Sequence, residues 1–309
     1  MIMKMRLRLI VTTSIMLFIS AFTFAQKGRS SDKDEPSQRI KPAPESVFKM
    51  FREAGMQPVN RTLTSAEKEK VTSAFALLPP LHQRILKQHL LSISFMDNMP
   101  NTALTSPVDP VGGIKMFNIT FRGGLLNENV SEWATWKENS CFTPAADSSY
   151  KVRVEGGNMD AMIYVLLHEA THIVDVVTGI TPHPEDADAV AEPTAFTKDI
   201  WRLMNKPAEP YIDSLLEQTR FRSGKPVSIS LAPDVYAKLS KTPFPSLYAT
   251  AAWSEDAAEL VSIYHMTTRL KQPFYVVVTK NNVEVARFEP MKNPLVKARL
   301  AQLAAFYKP

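Results

Sequence analysis

Within an apolar stretch from Ile163 to Val174 stands His168-Glu169-Ala170-Thr171-His172. Histidines four apart project from one face of a helix, one turn apart. Both imidazoles can then reach a single zinc ion while the glutamate between them reaches the water on it. The pattern constrains the fold strongly, because it requires a long helix that carries three polar groups into an apolar interior and a second element that faces them. Ile163, Leu166, Leu167 and Val174 predict that helix, beginning after Asn158 or Asp160 and ending at Gly179, a residue suited to the left-handed turn after a helix. Cys141 is the single cysteine. It excludes an intramolecular disulfide and any Cys-rich metal site, so a metal must rest on histidines and carboxylates.

A catalytic zinc needs a third protein ligand and one open position. The longer metzincin spacing would require Gly at position 175 and His or Asp at 178, where this chain has Asp175 and Thr178. His183 lies just past the helix with no motif to place it. Glu255-Asp256-Ala257-Ala258-Glu259 offers a ligand, a second acid one turn later that can hydrogen-bond a ligating histidine, and small residues that let two helices approach. Glu192 is the alternative metal ligand, but Pro193 follows it and Phe196 stands where the second acid would be. Glu255 is favoured. Asp175 shares the ligand face and either orients a histidine or is a plain helix cap or surface acid. In this arrangement Glu169 is the general base and Zn2+ the expected cofactor.

The pattern His168-Glu169-x-x-His172-x-Val174-Asp175, the following Gly179, Tyr248 seven residues before Glu255, and the run Glu255 to Leu260 resemble the catalytic domain of the anthrax lethal factor family, a gluzincin group of zinc metallopeptidases. The resemblance covers about 160–180 and 246–270. It implies an α+β zincin-like fold, mainly helical with a small sheet, that brings an HExxH helix against a second, Glu-bearing helix. It further implies His168, His172 and Glu255 as zinc ligands, Glu169 as general base, Tyr248 as a donor to the developing oxyanion, Glu259 as the acid behind a ligand histidine, and a peptide or protein as substrate. A longer segment between the motifs, about 181–245, departs from the family pattern, so substrate specificity does not carry over. The same chemistry would also suit a zinc amidase acting on cell-wall peptides. A non-enzymatic zinc-stabilised module would be expected to lack Glu169.

Lys4, Arg6 and Arg8 precede an apolar run from Leu9 to Ala25, the arrangement of a signal peptide cleaved near Ala25. The expectation is an extracytoplasmic protein, periplasmic or secreted, with no stable membrane insertion after cleavage. Loss of those three cations takes the formal charge from +5 to +2, and the remaining Lys and Arg are scattered. Nucleic acid is therefore not an expected partner.

Residues 26–45 read as a disordered tether and 46–309 as one domain. Thr64 to Glu67 has capping-box spacing before a helix that Pro79-Pro80 stops, and a second helix is expected through Ile85, Leu86, Leu90 and Leu91. Further helices are expected over 193–205, 208–220 and 254–270, with a last one opened by Asn293-Pro294. Met116–Arg122 and Tyr150–Glu155 read as strands, either of which can offer an edge to an extended peptide. Phe274–Thr279 and Val283–Phe288 read as a hairpin.

Overall fold

The computed structural model describes residues 36–111, 113–144, 149–186 and 188–308. The expected signal peptide and the first part of the expected tether lie outside the described residues. The rest of that tether is built into the fold. Pro36–Arg39 forms a 3-10 turn, Arg39 donates to the carbonyls of Leu86 (3.0 Å) and Lys87 (2.9 Å), and Ile40 bridges Ile93. Composition misleads here because a guanidinium that reads as solvated instead satisfies carbonyls at a helix C-terminus.

Helix α1 (Glu45–Glu53) buries Val47, Phe48 and Phe51, and strand β1 (Val59–Asn60) follows. Helix α2 (Ser65–Ala76) opens with the expected capping box, in which Thr64 Oγ1 accepts from Glu67 N–H and Glu67 Oε2 accepts from Thr64 N–H. Helix α3 (Pro80–His89) stops earlier than expected, and Leu90 and Leu91 begin strand β2 (Leu90–Asp97). An apolar run does not by itself distinguish a helix from a strand covered on both faces. Strands β3 (Ala103–Val111) and β4 (Ile114–Arg122) complete a sheet of order β1-β2-β4-β3, in which β2 and β4 are parallel and the other pairs antiparallel. β4 contains the expected Met116–Arg122. β3 was not foreseen: its prolines argue against a strand anywhere but at an edge, which is where it lies.

Helix α4 (Val130–Asn139) packs on strand β5 (Tyr150–Glu155), and α5 (Ala161–Thr178) is the motif helix, closed by Gly179 at φ 68°. Every residue of α5 from Ala161 to Thr171 is buried. The helices expected over 193–205 and 208–220 do not form. The chain there makes turns, a short ribbon of Trp201–Leu203 with Lys206–Pro207, and 3-10 turns at Glu209–Tyr211 and Leu216–Gln218. Pro207 and Pro210 lack the N–H a helix needs. Thr194 Oγ1 accepts from Thr197 N–H and Asp213 Oδ1 from Leu215 N–H, local bonds that compete with helix formation. Phe196, Trp201 and Leu216 from this segment nevertheless join the same core as α5.

Helix α6 (Ala232–Leu239) precedes α7 (Trp253–Tyr264), the second expected helix at the site, which runs on into a wider turn over His265–Arg269. Strands β6 (Tyr275–Lys280) and β7 (Val283–Phe288) form the expected hairpin, with Lys280 paired to Val283 and Asn281 and Asn282 at φ 51° and 63°. Both turn residues are of the type that tolerates positive φ. β6 also pairs with β5 in a sheet of order β7-β6-β5. The last expected helix is one turn, Pro294–Lys297, capped by Asn293 and followed by a 3-10 segment over Leu300–Tyr307. The whole is a mixed α+β arrangement with small sheets.

Candidate metal centre

α5 packs against α7, on which Ala257 and Ala258 are fully buried. Across that contact Glu255 Oε2 lies 3.0 Å from His168 Nε2 and 3.5 Å from His172 Nε2. The two imidazoles stand 5.0 Å apart, nearly perpendicular. One donor atom from each of the three residues falls within 4.8 Å of the others, so the cluster can hold a metal ion. The donor set of two neutral nitrogens and one carboxylate oxygen suits a borderline cation.

Glu259, one turn beyond Glu255, stands behind His168. Its Oε1 is 3.1 Å from His168 Nδ1, at contact distance but off the line of a well-aligned hydrogen bond. Glu259 also accepts from Ser246 Oγ (2.6 Å) and Tyr164 Oη (3.1 Å), and pairs with Lys137 Nζ (3.1 Å). Burial opposes its charge, but Lys137 and His168 outweigh it and hold the carboxyl down at about 2. Burial likewise disfavours a proton on His168, yet Glu255 and Glu259 lift its pKa to about 9. His172 shifts up in the same way, against burial and through Glu255, whose own carboxyl is held well below the ordinary range by the facing imidazoles in spite of burial. The site is built around positive charge, and in the metal-free protein a proton on His168 supplies it.

Glu169 is buried, and its Oε2 accepts a 2.6 Å hydrogen bond from Thr105 Oγ1 on β3. Tyr248 sits on a 3-10 turn just before α7, its ring stacked on His168 at 5.6 Å and against Phe221 at 4.8 Å. Burial, then the charges of Glu255, Glu169 and Glu259, push its hydroxyl up, so it stays a donor. Glu169, His172, Glu255 and Tyr248 line one cleft of about 620 Å3 whose other walls include Leu104, Pro107, Val108, Met116, Phe117 and Val176.

Two expectations change. Asp175 orients neither ligand histidine: its carboxylate accepts from Thr181 N–H and Oγ1, both at 2.6 Å, and lies 3.5 Å from His183. It fastens the chain leaving α5, which the tight turn at Gly179 brings back within reach. Glu192 is exposed and takes no part in the cluster. Thr105, Lys137, Tyr164 and Ser246 were not anticipated. The only available signal was the capping spacing of Asn129 and Glu132, which marks the helix carrying Lys137.

Neither expected peptide edge is open. β4 is paired on both sides, while β5 is paired to β6 and faces α4, where Val154 N–H donates to Thr135 Oγ1 and Asn139 Nδ2 donates to Val152 O. The edge beside the cleft is β3.

No family model matches the chain, and neither the curated proteins nor the solved structures give a match.

Proposed function

We propose that the protein is an exported zinc metallopeptidase of gluzincin type, with a zincin-like fold, that hydrolyses peptide bonds. The observation that carries this reading is the convergence of Glu169 and Tyr248 on the cleft that also exposes His172 and Glu255. A structural metal site needs neither a free carboxylate nor a phenol beside it.

His168, His172 and Glu255 would hold the zinc, which when bound supplies a Lewis acid that polarises the carbonyl and acidifies water. Glu169 takes the proton of the attacking water and returns it to the leaving nitrogen. Thr105 keeps one carboxylate oxygen engaged and so fixes how the other presents itself. Tyr248 donates to the oxygen on which negative charge develops. The resemblance to the lethal factor family assigns the same roles.

β3 is the surface for the substrate backbone. Arg122 N–H donates to Thr102 O, so the alternation of an antiparallel ladder turns the backbone groups of Thr102, Leu104 and Ser106 toward β4. Those of Ala103, Thr105 and Pro107 then face outward, where an extended peptide can add. Pro107 offers no N–H, so pairing weakens there, and its ring meets the apolar cleft instead.

The test is zinc content and turnover for wild type, Glu169→Gln and Glu255→Gln, with unfolded protein and peptidoglycan fragments as separate substrates. Glu169→Gln should keep zinc and lose turnover, and Glu255→Gln should lose zinc. Cleavage of peptidoglycan fragments alone would replace the peptidase with a cell-wall amidase. A wild-type protein that binds no zinc would overturn the reading.

A further inference from the structure

Lys137, on α4, touches two parts of the site at once. Its ammonium is 3.1 Å from Glu259 Oε1 and 4.0 Å from the centre of the Tyr248 ring, with the Trp133 ring a further 5.3 Å neighbour. The side chain is 17% exposed and Glu259 3%, so water screens this charge little. A lysine this enclosed loses hydration that it recovers only from the carboxylate and the ring faces.

We infer that Lys137 is a positioning residue that ties the metal centre to Tyr248. Toward the metal it acts through Glu259, which stands behind His168 Nδ1. With its charge balanced, Glu259 stays packed against His168 Nδ1 and keeps Nε2 toward the metal position. Toward the cleft it acts through the Tyr248 ring, which also stacks on His168. Remove the cation and Glu259 becomes a buried charge with only hydroxyl donors and the imidazole. Its cheapest remedy is to turn toward other donors, which leaves the His168 ring without the carboxylate that sets its orientation. Tyr248 meanwhile loses one of three contacts that fix its ring. The inference rests on the reading of the site as a metal centre, and not on peptide cleavage.

The test uses the full mature chain and zinc itself, titrated against a chromophoric chelator, for Lys137→Met, Lys137→Arg, Glu259→Gln and the double variant Lys137→Met/Glu259→Gln. Lys137→Met should weaken zinc binding by about ten- to a hundredfold, the range found when groups behind metal ligands are removed, and Lys137→Arg should recover most of it. In the double variant the neutral amide no longer needs a cation, so zinc affinity should match Glu259→Gln alone. That variant also guards against misfolding of Lys137→Met. Where substrate is cleaved, Lys137→Met should lower kcat with little change in KM and should not add to the effect of Tyr248→Phe. Wild-type zinc affinity in folded Lys137→Met, or additive losses in the double variant, would overturn the inference. A wild type that binds zinc but cleaves no peptide overturns the peptidase reading and leaves the affinity series to decide this one.

Discussion

If His168, His172 and Glu255 hold zinc as proposed, stripping it should leave behind protons, and the number can be worked from the site. The metal-free His168 holds its proton up to about pH 9, against burial, because Glu255 and Glu259 face it. At pH 7 roughly one molecule in a hundred has that imidazole free, and displacing the proton costs about 3 kcal/mol of metal-binding energy at 1.36 kcal/mol per pH unit. His172, shifted in the same direction, adds to the release. Zinc binding at pH 7 should therefore expel between one and about two protons, and apparent affinity should rise about ten- to a hundredfold per pH unit there, flattening as pH passes roughly 9. A histidine of ordinary pKa would release only about a quarter of a proton at that pH. The stability of the metal-free protein follows with its own sign. His168 is raised in the folded state, so its contribution is fully present below the unfolded value near 6.5 and is lost as pH rises through about 9. The assay is calorimetric titration with zinc in buffers of different ionisation enthalpy, alongside thermal unfolding of the metal-free protein from pH 6 to 10. Release of less than about half a proton at pH 7, with metal-free stability flat across that range, would refute the electrostatic account of the site.

Thr105→Val should leave zinc content unchanged and lower kcat about ten- to a hundredfold, the equivalent of one hydrogen bond to a charged group, checked by steady-state kinetics with metal analysis. Arg299→Met removes the partner of Asp256, which is fully buried and held by two guanidinium contacts of 2.9 and 2.7 Å. It should cost about 3–5 kcal/mol by denaturant unfolding, and Arg299→Met/Asp256→Asn should recover part of that. Asn281→Ala places an ordinary residue at φ 51° and should cost about 1–2 kcal/mol, with no effect on metal affinity.

What could be read from residues alone was whatever a short local pattern specifies. The four-residue interval of His168 and His172, the same interval of Glu255 and Glu259, the capping box at Thr64 and the two asparagines of the hairpin each depend on one helical turn or one tight turn. The structure places them accordingly. Thr105 and Lys137 reach the site from 64 and 122 residues away from their partners, and no spacing encodes such a contact. The segment 193–220 carries apolar residues in a nearly helical rhythm, but its prolines and the side chains of Thr194 and Asp213 take the backbone elsewhere. Asp175 fell on the right face of α5 for a ligand partner. The return of the chain to Thr181 decided its role instead.

Helix α7 holds three acids within five positions, and each meets a cation from a different part of the chain. Glu255 faces His168 at a separation of 87 residues, Asp256 faces Arg299 at 43, and Glu259 faces Lys137 at 122. Taken alone, the segment is a self-repelling peptide whose sole internal help is the attraction of its first acids to the helix N-terminus. It therefore depends on three remote segments, two of them the helices α4 and α5, for the charges that let it sit in the interior. Loss of any one of these partners would leave a buried acid on α7 uncompensated, and the loosened helix would be open to proteases.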